Sequence, residues 1–267
     1  MHRRHACLLP LLLSGVARAD ERVPLRIGWS DYPPFQHKGA TEAPQGLDVE
    51  LLELLARAAG ERLQWLRRPW ARQMADVAQG ELDLIPAATP TPQRLAVGEF
   101  TQPYRNERVA LMGLAGAGPA PRRLADLKGR AVHIGAIRGV AFPEAVRREL
   151  ADPALAGLML PLHANDLTLS ALRSRRVDYV IDDPVTLLHR AGQEPGEAVE
   201  VALELAVSPV HVYVSRRTLE RQPALMARLN AGLQRARQQP EWGRVLSRYP
   251  SYWPPTHVGN ASDSAGM

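Results

Sequence analysis

The stretch Thr89-Pro-Thr-Pro-Gln-Arg94-Leu-Ala-Val-Gly-Glu-Phe100-Thr-Gln-Pro103-Tyr104 decides how the chain is read. Thr91 is a good helix N-cap and Pro92 suits the first helical position, so a short helix is expected to begin here. Arg94 then falls in the first turn, where the helix dipole disfavours a cation by roughly 0.3–1 kcal/mol at exposed sites. A negative group is therefore expected beside it. A guanidinium can hold a carboxylate through two parallel charge-assisted hydrogen bonds, and the N–H groups at the same helix end can add to the site. A surface or intramolecular salt bridge is the plainer reading of the same residue.

Upstream, residues 25–29 alternate like a first strand, and Ser30-Asp-Tyr32-Pro-Pro-Phe35 is a loop stiffened by its prolines. Tyr32 and Phe35 either cover something or plug a core edge. Apolar residues at 51, 52, 54, 55, 58 and 59 trace a helix over 49–59 that Gly60 ends. Residues 63–66 read as a strand, 70–79 as a helix closed by Gly80, and 82–85 as the strand that delivers the chain to Arg94. Downstream, 108–114 is an apolar strand leading out of this first unit, and 116–121 is a Gly/Pro-rich loop. A second alternation follows, with strands at 131–136, 158–162 and 177–181 and helices at 142–150, 167–174 and 184–191. Such alternation predicts an α/β fold with mostly parallel sheet covered on both faces. Residues 201–207 read as a return crossing, 210–214 as a strand rejoining the first unit, and 223–238 and 242–247 as closing helices.

Thr-Pro-x-Arg, a Phe six residues after the Arg, and then Pro-Tyr together resemble the signature of bacterial solute-binding proteins of the polar-amino-acid type, the extracytoplasmic components of ABC importers. Gly46-Leu47-Asp48 before a long helix, Arg138-Gly139-Val140, and a strand ending in Asp182-Asp183-Pro184 resemble further pieces of the same pattern, in the same order. The resemblance implies a type II periplasmic-binding fold of two lobes joined by two hinge crossings. Lobe 1 would comprise 20–108 and 208–255, lobe 2 would comprise 109–207, and 256–267 would be a disordered tail. It implies further that Arg94 and Thr89 hold a ligand carboxylate, that Asp183 accepts an amino group, and that the Gly139 loop offers amides from the second lobe. Tyr32 and Phe35 would pack over the ligand, Ala87 would line its carboxylate, and Trp70 would stand near the cleft mouth. Leu47, where a ligand-stacking Phe is usual, would widen the pocket, while Val140 lacks the usual hydroxyl. Trp29 stands near a position that is often acidic in binders of basic amino acids, which counts against Lys or Arg as ligand. Asp183 before Pro184 is equally a good N-cap and first-turn pair, and the two roles are compatible.

The chain has 267 residues, of which 45% are hydrophobic, enough for two units with real cores. Its start is read as a signal peptide: a basic segment at 2–5, an apolar segment at 6–16, and an Ala-Arg-Ala cleavage site that would leave Asp20 first. Cys7 would be lost with it, excluding disulfides and thiolate chemistry from the mature protein. Removing Arg3, Arg4 and Arg18 lowers the formal charge from +5 to +2, and no basic face interleaved with aromatics points to nucleic acid.

No catalytic fingerprint or metal-ligand spacing is found, and no cofactor is implied. The expectation is therefore a periplasmic monomer that captures a small amino-acid-like or carboxylate ligand for an ABC permease in the inner membrane. Two alternatives stay open. One is an enzyme on the same scaffold, like cyclohexadienyl dehydratase, with Asp183 or Glu144 as general acid; the other is a soluble sensing partner of a membrane receptor.

Overall fold

The local rules of the sequence place the elements of the computed structural model, which describes residues 23–164 and 167–249. The leader at 1–19 and the tail at 256–267 lie outside the described residues. Helix Leu47–Ala59 buries Leu51, Leu52, Leu54 and Leu55 along one stripe and stops where Gly60 turns left-handed at φ 72°. Helix Trp70–Gln79 ends in the same way on Gly80, at φ 78°. Helix Pro92–Leu95 begins as expected, with the Arg94 N–H donating to Thr91 Oγ1 at 3.2 Å.

The strands are β1 (Leu25–Trp29), β2 (His37–Lys38), β3 (Pro44–Gln45), β4 (Leu63–Arg67), β5 (Leu84–Ala88), β6 (Gly98–Phe100), β7 (Arg105–Leu114), β8 (Ile134–Ile137), β9 (Met159–Leu162), β10 (Tyr179–Asp182) and β11 (Val199–Ser215). Nine of them form one continuous path in the order β4-β1-β5-β11-β7-β10-β8-β9, with β6 on β11. β4, β1 and β5 are parallel at one end of the path, and β10, β8 and β9 are parallel at the other. Between them β7 and β11 run antiparallel, from Val199 opposite Leu114 to Val210 opposite Arg105.

That ribbon divides the apolar interior. Ile27, Leu51, Leu55, Val212, Leu229 and Leu233 pack together on one side of it. Met112, Leu169, Leu172, Val180 and Leu187 pack on the other, with Leu111, Ile134 and Ile181 beneath. The structure departs from the sequence reading on the return crossing. Residues 201–207 and 210–214 are one strand, which passes through Pro209. Up to Val210 its ladder partner is β7, so that stretch has an open edge, where a residue without an N–H is tolerated.

Candidate functional site

The parallel strands β1, β5, β8 and β10 all point their carboxyl ends at the space between the two halves, where ligands bind in open α/β sheets. After β1 the chain forms the Tyr32 loop. That loop is fastened by the otherwise free N–H groups at the start of helix Leu47–Ala59: Leu47 donates to the Pro34 carbonyl at 3.1 Å and Asp48 to the Phe35 carbonyl at 2.9 Å. Only glycine fits before that helix, because Gly46 has φ 120° and a Cβ there would lie 2.4 Å from the Phe35 carbonyl oxygen.

After β5 comes Arg94. Its side chain lines the cavity between the halves yet is only 7% exposed. Nη1 donates to the Thr89 carbonyl at 2.7 Å and Nη2 to the Gly139 carbonyl at 3.1 Å, while the guanidinium lies 5.4 Å from the centre of the Trp70 ring. Both carbonyl partners are neutral, and two of the five N–H donors are used among the described residues. Burial pushes the Arg94 pKa down to about 10, so it stays charged at neutral pH.

The opposite wall is acidic. Asp183 caps helix Pro184–Gln193, with Oδ1 accepting from the Val185 N–H at 2.8 Å, and Oδ2 accepts from the Arg108 N–H at 3.2 Å. Beside it Asp182 Oδ1 accepts from the Asp183 N–H at 2.8 Å, while Asp182 Oδ2 is buried with no hydrogen-bond partner among the described residues. Glu107, on the β7–β11 ribbon, completes the wall. The Tyr32 hydroxyl joins two of these acids, 3.1 Å from Glu107 Oε1 and 3.4 Å from Asp182 Oδ1. Burial is the main cause that pushes Glu107 and Asp183 up to about 7 and Asp182 up to about 6.

Beneath the site lies a closed polar network. Asp48 and Arg105 are both fully buried and paired twice, Nε to Oδ1 at 2.5 Å and Nη2 to Oδ2 at 3.0 Å. Gln36 and the Tyr104 hydroxyl supply Asp48 with two more donors. The Tyr104 oxygen in turn accepts the Ala87 N–H at 3.0 Å, which holds Ala87 at φ 51° in the cavity wall. Such a φ is uncommon away from glycine.

The cleft is shut by direct bonds. Trp70 Nε1 and Arg94 Nη2 from one half both donate to the Gly139 carbonyl of the other. Arg190 donates across to the Asp31 carbonyl at 3.1 Å.

Of the residues singled out in the sequence, Tyr32, Trp70, Ala87 and Thr89 line the cavity with Arg94; Val140 and Asp183 line it from the other side. Gly139, at φ 81°, presents its carbonyl to Arg94 and Trp70, and the Val140 N–H is turned back to the Ile137 carbonyl. Trp29, Phe35 and Leu47 are not brought to the cavity. All three are buried, Phe35 and Leu47 in the apolar core beside Arg105 and helix Leu47–Ala59, and Trp29 under Arg67. The sequence reading gives no site role to Glu107 or to Asp182, although Asp182 belongs to the Asp182-Asp183-Pro184 strand end and that position is a signal. Glu107 carries no local signal at all.

Comparison with known proteins agrees with this architecture. Residues 25–251 match the model of the bacterial extracellular solute-binding proteins, family 3. A probable amino-acid ABC transporter-binding protein of Haemophilus influenzae is 23% identical over 209 residues, which is 78% of this chain and 76% of that protein. A probable histidine-binding protein of Neisseria gonorrhoeae is 20% identical over 223 residues, 82% of this chain and 80% of that one. Among solved structures, an ancestral arginine-binding protein bound to arginine superposes with a TM-score of 0.73 at 21% identity, covering 86% of this chain and 99% of its own. With a family model spanning nearly all of the described fold, the chain belongs to the bacterial extracellular solute-binding proteins, family 3.

Proposed function

We propose that this protein is a periplasmic binding protein that captures a small amino acid between its two halves and delivers it to an ABC permease. The observation that carries the reading is Arg94: a buried guanidinium in a cavity wall, bonded to neutral carbonyls and facing three carboxylates. Its remaining donors suit the ligand's carboxylate, and the acidic wall suits its ammonium group. The names of the two curated relatives, a histidine-binding protein and an amino-acid transporter-binding protein, support the same class.

In this reading β7 and β11 are the hinge between lobe 1 (20–108 and 208–255) and lobe 2 (109–207). The ligand first meets Arg94 and Thr89, then gains Asp183 on closure. It shifts the protein toward the closed form by those extra contacts alone. The exported chain would begin at Asp20 and act as a monomer.

A thermal-shift screen over the amino acids and small organic acids identifies the ligand, because a molecule that binds only the folded state raises the melting temperature. Calorimetry of the best binder then tests the reading. A charge-assisted hydrogen bond contributes roughly 1.5–3 kcal/mol, so Arg94→Ala is expected to weaken binding at least tenfold. Undiminished affinity in that variant would remove Arg94 from the site.

A further inference from the structure

We propose that Trp70 is the specificity-determining residue of the cleft, its indole being the partition that sets how long a ligand the closed protein accepts. The proposal rests on the reading of the cleft as an amino-acid site.

Two cavities meet at this ring. The inner one, about 80 Å³, is walled by Arg94, Thr89 and Asp183. The outer one, about 370 Å³, is lined by Asp31, Arg67, Arg68 and His163. Trp70, Ser30 and Ile137 line both, so they frame the neck between the two spaces. Trp70 is the largest of the three, and local rules fix its place. Pro69 stands at the N-cap of helix Trp70–Gln79, and its carbonyl accepts the Arg72 and Gln73 N–H groups at 2.9 and 3.0 Å. The indole therefore projects from the first residue of an anchored turn.

Its ring is held from both halves. Nε1 donates to the Gly139 carbonyl at 3.0 Å, and the same oxygen accepts from Arg94 Nη2 at 3.1 Å, so both of its lone pairs are in use. The Arg94 guanidinium lies 5.4 Å from the ring centre. On its own side the ring packs against the small core of Val77, Leu82 and Ile85. Across the cleft a Cβ built on Gly139 would meet the indole, 3.8 Å from Cδ1. A ligand that reaches from Arg94 into the outer cavity must displace this ring, and it forfeits the bond to Gly139 and the contact with Arg94. A ligand that stops short keeps both. Selection by length follows, because the loss falls on the long ligand alone.

A clamp between the halves is the rival role for the same bond. Loss of a clamp weakens every ligand by one factor, whereas loss of a partition changes their order. Calorimetry on protein stripped of bound solute by unfolding and refolding separates the two, with L-alanine, L-norvaline, L-norleucine and L-2-aminooctanoic acid as ligands of one charge and increasing length. In the wild type the longest is expected to bind at least tenfold more weakly than the tightest of the series. Trp70→Ala is expected to raise the affinity for the two longer members at least tenfold relative to alanine. Trp70→Leu serves in its place if the alanine variant lacks a native melting transition. Trp70→Phe keeps an aromatic ring without the N–H, and is expected to weaken all four by a common factor and preserve their order. A wild type that binds the longest member as tightly as the shorter ones overturns the partition while the amino-acid reading stands. So does a truncated variant that gains nothing for the longer members. If no amino acid binds the wild type or the variants, both fail.

Discussion

Asp48 and Arg105 lie 57 positions apart, and both side chains are fully buried. A buried pair is tolerated only when its remaining donors and acceptors are also satisfied, as Gln36 and Tyr104 do for Asp48 here. Removing one partner leaves an uncompensated charge in the core, so Asp48→Ala is expected to destabilise the fold by ~3–5 kcal/mol in urea unfolding. Replacing Asp48 and Arg105 together by Leu and Met should cost less than the single change, and a double variant that loses the sum of both single losses would refute the coupling. At this scale the sequence was informative where chemistry is local. Thr91, Pro92 and Arg94 announce a capped turn with a cation in it, and the turn forms. Glu107 announces nothing, because its meaning depends on a tyrosine 75 positions away and on the strand end at Asp182. The Asp48–Arg105 pair was illegible for the same reason.

Among the elements, those with a strong period and a clear stop were legible and those set by tertiary contacts were not. Helices Leu47–Ala59 and Trp70–Gln79 end on the predicted glycines, since a left-handed residue is a local requirement. β6 and the short helices Pro153–Ala156 and Arg216–Arg221 escaped because elements of three to six residues are too short to show a period. The continuity of β11 through Pro209 depends on which of its edges is open, a property of the whole sheet. The Tyr32 loop shows how one element fixes another: the first-turn N–H groups of helix Leu47–Ala59 hold Pro34 and Phe35, and Gly46 makes the approach possible. A Gly46→Ala change sets a Cβ into the Phe35 and Pro34 carbonyls and forces a positive φ on alanine. It should cost more than ~1 kcal/mol in thermal or urea unfolding and weaken ligand binding as Tyr32 moves. Wild-type stability in that variant would show that the loop is held by something else.

For the molecule as a whole, the site is an acidic wall shared between the halves and the ribbon that joins them, so its protonation is coupled to folding. Burial raises Glu107 and Asp183 to about 7 and Asp182 to about 6, well above ordinary carboxylates. The folded state therefore binds protons that the unfolded chain has already released, and its stability falls as pH rises through roughly 4.5 to 7. Glu107 is faced by Tyr32 on its loop, by Arg105 on its own strand, and by Asp183 and Asp48 from neighbouring elements; Arg105 by its charge and Tyr32 by its hydrogen bond oppose the shift, while the two aspartates add to it. His189 and His211, lowered by burial, act in the opposite sense and gain stability for the fold as pH rises past their folded values. The wild-type slope thus mixes both signs, and the difference between wild type and Glu107→Gln isolates the glutamate. Melting temperatures measured from pH 5 to 8 should fall less steeply in Glu107→Gln than in wild type, with the two curves diverging between about pH 5 and 7 and running parallel above that. Parallel curves would mean that Glu107 is ionised throughout, and the electrostatic account of the wall would fail with it.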